Sequence, residues 1–351
     1  MSISDHFSTI KCIALAVIAT ILAVSCTTTE HTFVEITDDS LYRSHTQSEY
    51  LTNQIDESFK SVKRILSTVF YRTYQFDIES PPLKSQVRGA DLNQLALQTT
   101  TDNHSSAGSA VVLARSSDRV GLLTAAHVVT FQDTIWHYME GYGSEGNLPV
   151  EAVSVKERLN YYIYGQEDIG SFELVVSDNN RDLALLSTRL GAGDDSDLVP
   201  LAVKPGDSDQ LDWADLVYAL GYPKGYSMVT SGIVSRQTTP RRHGFIVDAS
   251  FNRGFSGGLV FAVRNDETVF EWVGVLTSAA ADVEYMLTPG HIPAEDYDPD
   301  IEYTGPMYVS RQARINYGIT HAVSISEVKE FFRENERMIR RNGFSPRDFP
   351  R

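Results

Sequence analysis

Only two cysteines occur in the sequence, Cys12 and Cys26, both close to its start. The rest of the chain therefore has no thiol for a disulfide framework, a cysteine-ligated zinc site or a cysteine nucleophile. Basic residues are in deficit too: 30 Lys and Arg against 46 Asp and Glu leave a formal net charge of −16. Nucleic-acid backbones and anionic lipid are bound by clustered cations, so this balance argues against both. Glycine (23) and proline (13) are too scattered for a fibrous chain, and 42% hydrophobic with 22% charged residues excludes a disordered one. There is no internal repeat and no low-complexity tract.

One unbroken apolar run stands near the start, from Cys12 to Val24, with Lys11 before it. It is shorter than the roughly 20 residues that cross a bilayer. It also lacks the polar face of a core helix. Its length suits the apolar region of an export signal. The run ends Leu22-Ala23-Val24-Ser25-Cys26, which resembles a bacterial lipoprotein signal, although Ala23 stands where that pattern has leucine. The resemblance implies cleavage after residue 25 and acyl chains on Cys26, and two or more chains anchor stably. It also implies an envelope location, on the periplasmic side of an outer membrane, since Thr27 rather than Asp follows the cysteine. Without lipidation the product would be secreted.

Residues 26–44 are polar and read as a tether. Residues 45–107 read as an N-terminal helical extension. Leu51, Ile55, Phe59, Val62, Leu66, Val69 and Phe70 recur at steps of three and four, predicting an amphipathic helix packed on the rest of the protein. Its mixed-sign polar face disfavours a membrane-surface helix. From Gly108 the texture becomes short β-like runs between turns, among them 109–114, 120–123, 148–155, 172–176, 183–187, 216–220, 232–236, 244–247, 259–263 and 269–276. Such spacing predicts a mainly β domain, sandwich or barrel, over 108–325. Residues 279–316 read as an acidic insertion loop. Its Asp296, Asp298, Asp300 and Glu302 do not follow an EF-hand pattern, so no metal site is assigned. Ser324-Ile325-Ser326-Glu327 has capping-box form and opens a C-terminal helix over 326–351, with Gly343 as a stop.

Three short stretches carry chemistry. Asn252-Arg253-Gly254-Phe255-Ser256-Gly257-Gly258 places glycines on both sides of a serine. They let the backbone turn tightly, expose the hydroxyl and aim N–H groups at one point. Gly254 and Ser256 are the candidate oxyanion-hole donors. Leu122-Leu123-Thr124-Ala125-Ala126-His127 ends an apolar strand on a histidine, and Asp182 opens the apolar run Leu183-Ala184-Leu185-Leu186. Each residue alone has a plain reading: a glycine turn, a packed histidine, a loop aspartate. Together they supply a hydroxyl, a base and a carboxylate to orient it, in the order His, Asp, Ser.

Those stretches resemble the trypsin-like protease fold, most closely its bacterial HtrA/Deg branch. Thr124-Ala125-Ala126-His127-Val128-Val129 is similar to that branch's histidine motif and Asp182–Leu186 to its aspartate motif. Ala219-Leu220-Gly221-Tyr222-Pro223 is similar to its glycine-proline turn, and Asp248–Gly258 to its serine segment. The resemblance implies two six-stranded antiparallel β-barrels and a catalytic triad of His127, Asp182 and Ser256. It implies a specificity pocket with Ser250 near its floor and Thr277, Ser278 and Ala279 along its wall. The implied activity is that of a serine endopeptidase acting on proteins or peptides through an acyl-enzyme, without a cofactor. Uncharged pocket residues favour a small or hydrophobic residue on the acyl side of the bond. Three positions depart from the family: Phe255 before the serine, Arg253 before the first glycine, and Leu259 after the last. Too few residues follow Ile325 to hold a PDZ domain, so the peptide gating of that branch is not carried over. The competing reading is a binding or scaffolding lipoprotein on a protease fold that no longer cleaves. An α/β-hydrolase esterase would need the order Ser, Asp, His.

Overall fold

The computed structural model describes residues 49–139, 147–191, 193, 194, 196–235, 244–264, 269–289, 300, 302, 304, 305 and 307–351. The expected signal, the tether and Cys26 lie outside them, as do Asp296 and Asp298.

The architecture is mainly β, as expected. A seven-stranded sheet is ordered β4-β5-β1-β2-β3-β7-β6. Its strands are β1 (Val62–Gln75), β2 (Gln98–Arg115), β3 (Arg119–Thr124), β4 (Thr134–Tyr138), β5 (Val150–Ile163), β6 (Glu173–Asp178) and β7 (Leu183–Arg189). The second half is a closed six-stranded barrel, β10-β13-β12-β11-β8-β9. Its strands are β8 (Leu216–Gly221), β9 (Met228–Ser235), β10 (Gly244–Asp248), β11 (Leu259–Arg264), β12 (Val269–Pro289) and β13 (Met307–Ser324). Two closed barrels were expected, and the first is different. Its ring is drawn together by an isolated bridge, Tyr161 to Phe172, and β4 adds an extra strand beside β5.

The apolar runs of the sequence are continuous because the strands are buried on both faces. Ala110, Val112, Leu122, Ala184 and Leu186 fill the first barrel. Their alternates Val111, Leu123 and Leu185 join Leu220, Phe261 and Trp272 in the layer between barrels. Period-2 alternation thus partitions one run between two cores.

The largest departure from the sequence reading lies at the front. Helix α1 spans Glu49–Phe59, and the next residues form β1 instead of extending it. Ile65, Ser67, Val69, Tyr71 and Thr73 are all buried while their alternates are half-exposed. That period of two, carried by β-branched and aromatic residues, outweighs the apparent helical spacing of Val62, Leu66 and Val69. Strand β1 pairs with both β2 and β5, so the barrel begins at Val62 and not at Gly108. Helix α1 packs by Leu51, Ile55 and Phe59 onto the layer between barrels, and Phe59 meets the Tyr222 ring edge-on at 6.3 Å.

The insertion over 279–316 is not a plain loop. Its two ends are a ribbon in which β12 and β13 run on, paired from Ala281 with Ile315 to Pro289 with Met307. At the C-terminus, Ser324 Oγ accepts from the Glu327 N–H at the start of α2 (Ile325–Glu334), and α3 (Glu336–Arg341) follows after Asn335. Gly343 then takes a left-handed φ of +82°. Val328, Phe331, Phe332 and Ile339 pack on the layer between barrels. Among the described residues no helix is long and apolar enough to cross a membrane.

Candidate active site

His127 sits in a single helical turn, Ala126–Val129, directly after β3. Asp182 sits in the tight connection of β6 to β7, with a left-handed φ of +57°. Aspartate tolerates that conformation better than most residues. The turn aims its carboxylate across to β3. Oδ1 accepts from the His127 backbone N–H at 2.8 Å, and Oδ2 from His127 Nδ1 at 2.7 Å. The Asp182 carbonyl also accepts from the Ala126 N–H at 3.1 Å. An ionised carboxylate only accepts, so Nδ1 carries the ring proton and Nε2 presents its lone pair. Opposite that lone pair, 2.9 Å away, is Ser256 Oγ.

Arg181 braces the aspartate turn. Its guanidinium donates to Asp178 and reaches Glu327 and Glu334 on α2. Hydrogen bonding to Glu334 first, then to Glu327 and Asp178, raises its pKa further. Burial alone would raise the Asp178 pKa, yet N–H groups of Arg181 and Asn180 and the Arg181 side chain hold it below its ordinary 3.8. A depressed carboxylate stabilises the fold above its unfolded pKa, and this contribution fades as pH falls through the folded value. Asp178→Asn should therefore cost about 1.5–3 kcal/mol at neutral pH. The difference from wild type should shrink below about pH 4 in urea titrations at a series of pH values.

The serine loop is held from beneath. Gly254 has φ +107° and Gly257 φ +86°, both left-handed. A Cβ on Gly254 would lie 2.4 Å from the Tyr222 carbonyl oxygen, and one on Gly257 2.0 Å from that of Ser109. Glycine is thus required at both positions. The Ser109 N–H donates to the Ser256 carbonyl at 2.7 Å and the Gly257 N–H to the Leu276 carbonyl at 2.7 Å. Among the described residues, the N–H groups of Gly254 and Ser256 have no hydrogen-bond partner. Those are the two donors expected to receive an oxyanion.

Phe255, the departure nearest the serine, points away from the cleft chemistry. It is buried in the second barrel, 6.0 Å from Phe251 ring to ring. Ser256 Oγ also lies 2.9 Å from the Thr277 carbonyl. Thr277 is at a bulge of β12, where the register against β13 shifts, a common place for strands beside functional sites.

These groups line a cleft of about 560 Å³. His127, Gly254, Ser256, Thr277, Ser278 and Ala279 all lie on it. Ser250 does not: it is exposed outside the cleft, and its neighbour Phe251 lines the wall instead. Strand β10 ends at Asp248, and it is Ala249 and Phe251 that turn into the second core.

Sequence reasoning missed Ser109. Its buried hydroxyl donates to the Gly254 carbonyl at 2.8 Å and accepts from the Tyr222 N–H at 2.8 Å, clamping the oxyanion loop to the turn after β8. A serine at the head of an apolar strand carries no local sign of that role. It also missed the cations Arg64 and Lys224, which line the cleft with Arg253. Among the described residues no group of three His, Cys, Asp or Glu is placed to hold a metal ion.

A hydroxyl, an imidazole and a carboxylate in series beside a six-stranded barrel define a serine peptidase of the trypsin-like class. The family described as the trypsin-like peptidase domain matches residues 93–270, just over half of the chain, and the protein belongs to that family. Two solved structures of the HtrA-type protease AlgWS227A, one with a decapeptide and one with a tripeptide, are similar in outline. They share 20% and 18% identity at TM-scores of 0.42 and 0.40, over 82% and 83% of this chain and 68% and 64% of theirs. No curated protein sequence matches the chain.

Proposed function

We propose that the protein is a serine endopeptidase in which His127, Asp182 and Ser256 act as the triad. The 2.9 Å approach of His127 Nε2 to Ser256 Oγ is the observation that carries this reading. As Oγ attacks a peptide carbonyl carbon, its proton passes to Nε2, and Asp182 stabilises the imidazolium through Nδ1. The carbonyl oxygen becomes an oxyanion facing the N–H groups of Gly254 and Ser256. When the C–N bond breaks, Nε2 returns the proton to the leaving amine. Water then repeats the sequence on the acyl-serine, its proton taken by Nε2 and given back to Oγ.

The export signal adds a location: an envelope lipoprotein held by acyl chains on Cys26. Radiolabelled palmitate incorporated by the full chain and lost in Cys26→Ala would support the anchor, whereas equal labelling would remove it.

Cleavage of internally quenched peptides tests the endopeptidase reading. The base must be neutral, so kcat/KM should fall along a single-proton slope toward acid pH as the imidazole takes up a proton. A profile flat to pH 4 would contradict His127 as the base.

A further inference from the structure

The cleft carries cations that the triad does not use. Arg64 from β1, Lys224 from the turn after β8 and Arg253 from the serine loop all line it, with no Asp or Glu among the lining residues. They form one corner. The Lys224 N–H donates to the Arg253 carbonyl at 2.9 Å, and a Cβ on Gly225 would lie 2.8 Å from Arg64 Nη1. Arg64 is further steadied over the Tyr164 ring at 4.8 Å.

Several cations of this acidic protein are held by carboxylates: Lys63 pairs with Asp197, Arg115 with Asp194 and Arg181 with Asp178, Glu327 and Glu334. Among the described residues none of the three cleft cations has a carboxylate within ion-pair distance. Asp197, whose charge reaches the cleft residue Tyr222, is already bonded to Lys63 and Gln166. Lys224 also holds a left-handed φ of +52°, a conformation that costs a lysine about 1–2 kcal/mol and that concentrates at functional sites. Long-range repulsion by the acidic surface is screened beyond about 8 Å at physiological salt. Within the cleft the local cations therefore set the potential.

Resting on the endopeptidase reading, we infer that the substrate is an acidic segment. A carboxylate flanking the scissile bond docks against Arg64, Lys224 and Arg253, while the uncharged Thr277–Ala279 wall receives the residue next to the bond.

Two quenched peptides that differ only in Glu against Gln at the flanking positions test this. The wild type should show a kcat/KM ratio of about ten in favour of Glu. Arg253→Glu and Lys224→Glu together should bring the ratio to one or below. Because the ratio is internal to each variant, partial misfolding does not imitate the result. A ratio near one in the wild type, or one unmoved by charge reversal, would overturn the inference. Amidation tests the other source of carboxylate: the Glu-to-Gln ratio reports the side chains, whereas a loss of rate on the Gln peptide when its C-terminus is amidated would report a free C-terminus. Anisotropy binding of the same peptides to Ser256→Ala keeps the two readings apart. Tighter binding of the Glu peptide without any wild-type turnover would uphold the acidic site and sink the endopeptidase. Turnover with no Glu preference in rate or binding would do the reverse.

Discussion

Replacing Ser256 by alanine should lower kcat on any cleavable peptide by roughly five to six orders of magnitude. The loss is this large because the hydroxyl supplies the bond-forming atom and the proton that His127 accepts, and nothing nearby substitutes for it. The nearest polar neighbour of Oγ besides the imidazole is the Thr277 carbonyl, which only accepts. Ser256 is buried at the junction of the serine loop with β2, and its backbone carbonyl holds the Ser109 N–H whatever its side chain. The alanine variant should therefore keep the wild-type thermal midpoint within a degree or two while losing turnover. His127→Ala should act on the same step, and the double variant should be little worse than either single one, since the pair works as a unit. Thermal melts beside steady-state rates on one quenched peptide check both halves.

Gly257→Ala has the largest expected effect on the fold. Its φ of +86° is unfavourable for alanine, and a methyl group would meet the Ser109 carbonyl oxygen at 2.0 Å, with Thr124 Oγ1 at 2.5 Å. Neither neighbour has room to yield. Thr124 Oγ1 is bonded to the Ser109 carbonyl itself, and Ser109 to both Gly254 and Tyr222. Strain and overpacking together should cost about 3–5 kcal/mol, a fall of roughly 10 °C in thermal midpoint for a domain of this size. Any movement of Gly257 also shifts the N–H of Ser256, so the surviving folded fraction should lose at least about a hundredfold in kcat. Differential scanning calorimetry with rates normalised to folded protein separates the two effects.

Much of this site was legible before any coordinates. His127, Asp182 and Ser256 announce themselves because each chemistry-bearing side chain sits where an apolar run starts or stops or where glycines crowd, and those are local signals. Each of the ten short β-like runs overlaps a strand, seven of them entirely, for the same reason. What was not legible depends on contacts between distant parts. Strand β1 mimics a helix because Val62, Leu66 and Val69 fall at a helical step, while the period of two in Ile65, Val69 and Tyr71 is broken in the sequence by the polar Ser67 and Thr73, which are buried between β2 and β5. Resemblance in the serine segment points to Ser250 for the pocket floor, yet the chain brings Phe251 to the cleft instead. Arg64 and Lys224 stand 160 residues apart in sequence, and no pattern along the chain places them in one corner. The ribbon beyond Ala281 does alternate, with Asp282 and Glu284 between Ala281, Val283 and Tyr285, but the alternation is short, continues into Met286 and Leu287, and leads into the acidic stretch that reads as loop, while the arm is exposed as at Tyr285 and Val309.

The account depends most on a nucleophilic Ser256, and covalent capture reads that directly. Exposure of the purified protein to a fluorophosphonate, followed by peptide mass mapping, should yield a single phosphonylated serine at Ser256 in the wild type. The adduct should be absent from Ser256→Ala and strongly slowed in His127→Ala. A protein with the wild-type thermal midpoint that takes up no phosphonate, or takes it up on another residue, would contradict the triad and leave the trypsin-like fold without its hydrolytic reading.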